Sequence, residues 1–316
     1  MERIAADSAG RRVVMLNEAH VASRHRMFLA QVLRKLRPLG FTHLAAETFP
    51  NEAPGARWSD LGAAFDPAEG TYTHDPVFAE AVREAADLGY RFVAYEQRQD
   101  QRGPPGEDRN AAIARREQSQ AENFAAFATA HPEARTLTFV GYAHLRKTPD
   151  RAGNEWFAAR LTRQLGVAPL TVEQSTTGSF GPHAPDTETA RAVLARFSPK
   201  RPIVVTEGGA VVGVADGRAD LAVFHPSLPD VAGRPGWLAA DAMRRSVRVA
   251  VPSIAVRGLT LAQAIPEGEL ETGVPADQYV LPYGAREAVF LLRPGRYRFR
   301  LEASSGFSDM GKTRVA

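Results

Sequence analysis

Residues 13–28 read VVMLNEAHVASRHRMF, and this stretch decides the fold that the sequence predicts. An apolar run ends abruptly in Asn17, Glu18 and His20, and a helical pattern that carries His25 follows. A short apolar run before a helix indicates a βα unit with a buried strand. Glu18 and His20 lie two positions apart, so in an extended chain both side chains point to the same face.

The same βα pattern recurs through the first half of the chain. The predicted strands cover residues 12–16, 41–47, 91–96, 136–144 and 168–174. The predicted helices cover residues 22–37, 76–88, 109–129 and 154–165. Strands that alternate with helices predict an α/β fold, in which a mostly parallel sheet is flanked by helices. Right-handed crossovers bring the carboxyl ends of such strands to one edge of the sheet, where ligands bind.

The last third of the chain has a different pattern. Short alternating runs, separated by Pro and Gly, predict a small antiparallel β-rich appendage over residues 234–316, after an α/β domain of catalytic type over residues 1–233. A hairpin is expected around Asp216 and Gly217. The long connections of residues 50–76 and 97–110 are expected to be lids, binding loops or disordered segments at the functional edge of the sheet.

Composition excludes several classes of protein. The 316 residues are 44% hydrophobic and 24% charged, with a net charge of only +3 that is scattered along the chain, so nucleic-acid binding is not expected. The chain has no cysteine, which excludes disulfides and thiolate metal sites. No apolar run approaches the roughly 20 residues of a membrane span. The N-terminus lacks the apolar segment of a signal peptide, so the cytoplasm is the default compartment, and the periplasm is the alternative if a leader has been removed.

Acidic and imidazole side chains follow several of the predicted strands. Glu18, His20, Glu47, Glu96 and His144 all lie at strand ends, so we expect them to converge on one crevice. A Glu in this position can instead cap the next helix, and this alternative applies most to Glu96 and Glu173. Glu18 and Glu47 follow runs apolar enough to be buried, where an unpaired charge costs several kcal/mol, so partners are required. Two His and two Glu at converging strand ends favour a functional site.

Three further residues are candidates for the same crevice. Arg116 lies on the predicted helix RREQSQAENFAAF, where it belongs either to a solvated face or to an inward face, and an inward guanidinium would bind a carboxylate or a developing oxyanion. His25 is near the start of the first helix and within reach of the crevice. The predicted ligand-binding residues are His25, Glu96 and Tyr142.

Four short motifs in this order resemble a known superfamily. NEAHVASRH is similar to a first-strand Gly-Glu-x-His motif, LAAETF to a second strand that ends in Glu, REQSQAENF to Arg-Asp-x-x-Met-Ala-x-Asn, and FVGYAH to Gly-x-x-His. Over residues 13–147 the chain thus resembles the superfamily of erythromycin esterases, ChaN-like haem-uptake proteins and Tiki-type peptidases. It departs from these motifs where Asn17 replaces Gly, Glu117 replaces Asp and Gln120 replaces Met.

The resemblance implies a hydrolytic site. Its esterase branch implies that His20 is the general base, supported by Glu18, Glu47, Arg116 and His144. Its Tiki-like branch implies a divalent metal, Zn, Mn or Co, held by His20, Glu47 and His144, and its ChaN-like branch implies haem binding.

The predicted function is therefore hydrolysis of an ester or amide bond in a small-molecule or peptide substrate. Two alternatives stay open: a non-catalytic binder of haem or another small ligand, and a fold retained for interaction through the β-rich tail.

Overall fold

The structure, a computed structural model, describes residues 1–53, 55–178, 187–214, 217–252, 258–270, 272–304 and 306–316. The described chain divides into two compact units. The first comprises Met1–Tyr72 and Ala81–Pro226, and the second comprises Thr73–Glu80 and Ser227–Ala316. The division predicted from the sequence lies after residue 233, and the sequence gives no sign that residues 73–80 join the C-terminal unit.

The helices and strands are numbered in chain order. The α-helices are α1 (Glu2–Asp7), α2 (Ser23–Leu36), α3 (Pro76–Asp87), α4 (Arg109–Ala130), α5 (Phe157–Leu165), α6 (Glu188–Phe197) and α7 (Gly236–Ala239). The strands of the first unit are β1 (Val13–Glu18), β2 (His43–Ala46), β3 (Ser59–Gly62), β4 (Arg91–Ala94), β5 (Thr136–Gly141), β6 (Leu170–Glu173), β7 (Thr206–Glu207), β8 (Ala210–Val211) and β9 (Leu221–Ala222). The strands of the second unit are β10 (Arg245–Ala250), β11 (Leu261–Pro266), β12 (Asp277–Val280), β13 (Glu287–Leu292), β14 (Gly295–Ala303) and β15 (Gly306–Val315).

The first unit is built on a seven-stranded sheet in the order β3-β4-β2-β5-β1-β6-β9. Every pairing in this sheet is parallel except the antiparallel edge pair of β3 and β4. Helices alternate with its strands along the chain and flank the sheet. The predicted α/β fold with a mostly parallel sheet is confirmed.

Burial explains why these segments fold as they do. All six residues of β1 and all six of β5 are buried, as expected of central parallel strands that are covered on both faces. The buried leucines Leu29, Leu33 and Leu36 of α2 recur at helical spacing. Phe124 of α4 and Phe157 of α5 belong to the core that packs with β-strand residues. This core fixes the strands whose ends carry the candidate site.

Three elements differ from the sequence predictions. The connection of residues 50–76 contains β3, whose four residues are too few and too polar for a periodic signal. The predicted strand over residues 136–144 ends at Gly141, and residues Tyr142–Leu145 form a 3₁₀ turn, because Tyr142 adopts a positive φ of 31° that breaks the strand.

The third difference concerns the predicted hairpin around residues 216–217. Asp216 lies outside the described residues, and Leu221–Ala222 forms β9, which joins the main sheet beside β6. The hairpin of this region is instead β7–β8. Its turn uses Gly208 and Gly209, both with the positive φ that tight hairpin turns favour.

The second unit consists largely of antiparallel sheets, as its alternating sequence predicts. One sheet has the order β12-β11-β14-β15, and β10 pairs with β13. Its core includes Phe290, Tyr297 and Phe299. In the part of the chain that the structure describes, no helix is both long enough and apolar enough to cross a membrane.

Candidate active site

The carboxyl ends of four neighbouring strands bring the predicted residues together. Parallel register sets Glu18 of β1 opposite Gly141 of β5, and Ala46 of β2 opposite Phe139 of β5. Glu47 and Glu96 follow β2 and β4, and His144 lies in the 3₁₀ turn after β5. Residues that are more than 100 positions apart in the sequence therefore meet at one edge of the sheet.

Glu18 and His20 form a carboxylate–imidazole pair. The Nδ1 atom of His20 lies 2.8 Å from Oε1 of Glu18, and since an ionised carboxylate only accepts, Nδ1 carries the proton and donates. Arg26 holds the other side of Glu18, donating to Oε2 at 2.6 Å and to Oε1 at 3.0 Å, and it also donates to the backbone oxygen of His20. Glu18 is 2% exposed, so this guanidinium supplies the partner that its burial requires.

Glu47 lies between the two imidazoles. Its Oε1 is 3.3 Å from Nε2 of His20, and its Oε2 is 3.2 Å from Nε2 of His144. The buried Oε2 atom nevertheless accepts no hydrogen bond from the described residues. A buried carboxylate oxygen at ion-pair distance from the His144 ring and the Arg116 guanidinium, without a hydrogen bond of its own, is a position from which a protonated ligand or a water can be held.

His144 is held by a second carboxylate. Its Nδ1 donates to Glu117, at 2.9 Å from Oε1, and Glu117 also accepts the backbone N–H of Phe157 at 2.7 Å. Burial lowers the pKa of His144, but the negative charges of Glu47 and then Glu117 outweigh burial, so its pKa is raised. The carboxylates around this imidazole therefore favour its charged form.

Arg116 is turned toward the cluster and is fixed by Glu96. It donates to both carboxylate oxygens of Glu96, at 3.0 and 2.5 Å, and Gln120 donates to the same carboxylate at 2.8 Å. Its Nη1 atom is 3.4 Å from Nε2 of His144. The Arg116 side chain is 38% exposed, so a cationic edge made of Arg116 and His144 faces the crevice.

Aromatic rings and a glycine enclose His20. Tyr72 stacks on the imidazole with a centroid distance of 4.0 Å, and Tyr142 meets it edge-on at 5.0 Å. A Cβ atom added at Gly141 would lie 2.6 Å from Nε2 of His20 and 2.9 Å from Oε1 of Glu47. Only glycine leaves room here for both side chains. His20 stays 23% exposed, so its ring remains open to the crevice.

His25 is placed elsewhere than the sequence suggests. Its side chain is fully buried, its Nδ1 accepts the backbone N–H of Ala19 at 3.0 Å, and its ring lies 5.3 Å from that of His225. It thus stabilises the turn between Glu18 and His20 rather than facing the crevice. The ligand-binding roles predicted for Glu96 and Tyr142 stay predictions, although both residues border the cluster.

The described residues add no support for the metal variant beyond the sequence prediction. Among the described residues, no group of three or more His, Asp or Glu is arranged to hold a metal ion. The Nε2 atoms of His20 and His144 both face Glu47 instead of converging on an open position. A metal held by His20, Glu47 and His144 stays a prediction, as does haem binding.

Sequence reasoning missed three members of the cluster. Arg26 and Tyr72 carry no sequence signal, because only the folded chain brings Arg26 of α2 to Glu18 and the loop residue Tyr72 to His20. Glu117 has a weak signal, since it stands where the resembled motif has Asp. Asn17, another of the departures from the motifs, is buried and donates to the backbone oxygen of Tyr142 at 2.7 Å, which supports the positive φ of that residue.

No protein-family model and no curated protein matches this chain. The solved structures that this chain matches, all at low TM-score, include bacterial effector and toxin domains. The type III effector HopBA1 has a TM-score of 0.35 at 16% identity, and the match covers 55% of this chain and 82% of that one. RRSP, a MARTX toxin effector domain from Vibrio vulnificus, has a TM-score of 0.37 at 15% identity, covering 59% and 36%.

A third similar structure is the C-terminal region of Pasteurella multocida toxin, which has a thiol-protease-like catalytic triad. Its TM-score is 0.35 at 13% identity, covering 95% of this chain and 45% of that one. This chain has no cysteine and therefore no thiol to place in such a triad. The site described above rests on its own geometry.

Proposed function

We propose that the chain is a hydrolase of ester or amide bonds, with His20 as the general base. The observation that carries the proposal is the Glu18–His20 pair beside the carboxylate of Glu47, at the open edge of the sheet. A carboxylate at Nδ1 fixes the ring and its tautomer, which leaves Nε2 to accept a proton. The resemblance to the erythromycin esterase, ChaN-like and Tiki-type superfamily supports the same assignment.

The proposed reaction uses water as the nucleophile. His20 takes a proton from water while the water oxygen bonds to the carbonyl carbon of the substrate, and the carbonyl oxygen becomes an oxyanion. His144 and Arg116, 3.4 Å apart, supply the positive charge next to that oxyanion. When the bond to the leaving group breaks, His20 returns the proton to the leaving oxygen or nitrogen.

The substitution His20→Ala tests this assignment. We expect kcat/KM for 4-nitrophenyl butyrate to fall by about 10²–10⁴-fold, the usual contribution of a general base. The free energy of unfolding should change by only about 1 kcal/mol, because Glu18 keeps its bonds to Arg26. Ester hydrolysis and urea denaturation measure the two effects.

A matched control is His131→Ala, which removes an imidazole at the C-terminal end of α4, away from the cluster. It should leave hydrolysis unchanged. Equal rates for the wild type and His20→Ala, or no hydrolysis by the wild type across a set of 4-nitrophenyl esters and anilides, would overturn the assignment.

A further inference from the structure

A cavity of about 440 Å³ adjoins the candidate active site in the first unit. This volume lies in the range of small-molecule binding sites. Residues of the turn after β5, of the segment after β6 and of the segments before and after β9 line it, among them Tyr142, Arg146, Ser175, Thr177, Arg218 and Phe224. The wall therefore combines an apolar part with hydroxyl and guanidinium groups.

Tyr142 connects the cavity to the crevice. The residue lines the cavity, and its ring also meets the ring of His20 at a centroid distance of 5.0 Å. Its φ of 31° is unusual for a bulky residue, and Asn17 holds the backbone oxygen of this turn at 2.7 Å. A substrate with its scissile bond at His20 can therefore extend past Tyr142 into the cavity.

The charge of the cavity wall favours an anionic group. Arg146 has a buried Nε atom that makes no hydrogen bond with the described residues, and its Nη2 has only a long contact, 3.4 Å, with the backbone oxygen of Pro149. None of the carboxylates in the described chain forms an ion pair with Arg146. A buried donor on a charged group is costly to leave unpaired, so a ligand that pairs with it gains affinity.

The wall also carries an acidic residue, Glu173, beside two arginines. Oε1 of Glu173 already accepts from Asn17 at 2.8 Å, from the hydroxyl of Ser175 at 2.7 Å and from the backbone N–H of Thr176 at 3.1 Å. These neutral donors hold the Glu173 carboxylate in place, and two guanidinium groups, those of Arg146 and Arg218, line the same cavity as this one carboxylate.

We infer that this cavity is a substrate subsite that binds an oxyanion, a carboxylate or phosphoryl group, at the end of an apolar segment. Arg146 is the ion partner of that group, and Phe224 and Val214 contact the apolar segment. The inference builds on the proposed hydrolase, since it names the class of substrate that reaches His20, but the affinity of the cavity for an anion can be measured without turnover.

The binding test uses the His20→Ala variant of the full chain and two matched anilides. Glutaranilic acid carries a terminal carboxylate, and valeranilide has an acyl chain of the same length without charge. By titration calorimetry we expect glutaranilic acid to bind about tenfold more tightly or better, the effect of one charge-assisted hydrogen bond. Arg146→Met in the same background, which keeps the apolar stem, should remove the preference.

The kinetic test uses three 4-nitrophenyl esters, those of glutarate, 4-phosphonobutyrate and valerate. In the wild type, we expect KM for the preferred acidic ester to be about tenfold below KM for the valerate ester. Whether the glutarate or the 4-phosphonobutyrate ester has the lower KM shows whether the cavity prefers a carboxylate or a phosphoryl group. Arg146→Met should raise the KM of the acidic ester alone and leave kcat within about twofold. Arg151→Met, an exposed arginine in the following turn, is the matched control and should change nothing.

The outcomes separate the two proposals. If the wild type hydrolyses all esters through His20 without an acidic preference, or if Arg146→Met leaves the preference intact, the subsite is refuted and the hydrolase stands. If no ester is cleaved but glutaranilic acid binds through Arg146, the hydrolase is refuted and the anion site stands. Equal binding of the two anilides overturns the anion site directly.

Discussion

The first unit contains two pairs of histidines that differ in their surroundings. His20 and His144 lie on either side of the Glu47 carboxylate at the open edge of the sheet. His25 and His225 are buried with their rings 5.3 Å apart. Burial lowers the pKa of both members of this second pair, His225 to about 3, whereas the carboxylates around His144 raise its pKa in spite of burial.

The comparison shows that neighbours, and not residue type, decide what a histidine does. A neutral imidazole accepts at one nitrogen and donates at the other, and the buried pair uses both abilities. His25 accepts the N–H of Ala19, and His225 donates to Gln174 at 2.7 Å. The buried pair thus holds the backbone turn that presents Glu18 and His20, while the open pair keeps ring atoms facing the crevice.

The largest effect that we expect concerns the pH dependence of stability. Because the pKa of His225 is lowered in the folded state, the unfolded chain binds its proton first, and stability is lost as the pH falls from about 6.5 toward 3. The substitution His225→Asn removes this titration. Between pH 6.5 and 3.5 the variant should lose on the order of 4 kcal/mol less free energy of unfolding than the wild type, since each pKa unit is worth about 1.4 kcal/mol.

Urea denaturation at a series of pH values measures this difference. Protonation of carboxylates elsewhere in the chain destabilises both proteins equally in acid, so the difference between the two curves reports the titration of residue 225 together with its effect on the neighbouring His25. If the free energies of unfolding of the two proteins changed with pH in parallel, the buried histidine pair would not be held neutral. The difference in pKa between the buried pair and the open pair would then be refuted.

A somewhat smaller effect is expected from Gly141→Ala. The added Cβ would displace the ring of His20 and the carboxylate of Glu47, and a displacement of about 1 Å in a catalytic geometry costs on the order of 100-fold in rate. We expect kcat/KM for 4-nitrophenyl butyrate to fall by that factor. Gly103→Ala is the matched control, because its Cβ would meet only the side chain of Glu107, away from the cluster. Full activity of Gly141→Ala would show that the His20–Glu47 contact is dispensable.

The sequence predicts the parallel sheet and the convergence of its strands' carboxyl ends at one edge, because both follow from local patterns. Apolar runs and helical spacing define the βα units, and handedness then brings Glu18, Glu47, Glu96 and His144 to one edge. The same patterns do not show which face of a helix points inward. Arg116 and Glu117 are adjacent in α4, and only the packed helix directs one to Glu96 and the other to His144.

Two further features are beyond sequence reasoning for a physical reason. The end of β5 depends on the positive φ of Tyr142, which a hydrogen bond from Asn17 supports across 125 positions of sequence. Whether His25 faces the crevice or the interior depends on its contact with His225, 200 positions away. Long-range polar contacts of this kind leave no periodic trace in the chain.

One measurement tests most directly whether the open pair and its carboxylates form a single acid–base unit. The imidazole of His144 is titrated by NMR in the wild type and in Glu47→Gln, with His225 as the internal reference. We predict a pKa of His144 above 6.5 in the wild type and a lower one in the variant, because Glu47 contributes most to the rise, while His225 titrates at about 3 in both. A pKa of His144 that is unchanged by Glu47→Gln, or that lies below 6.5 in the wild type, would contradict the account.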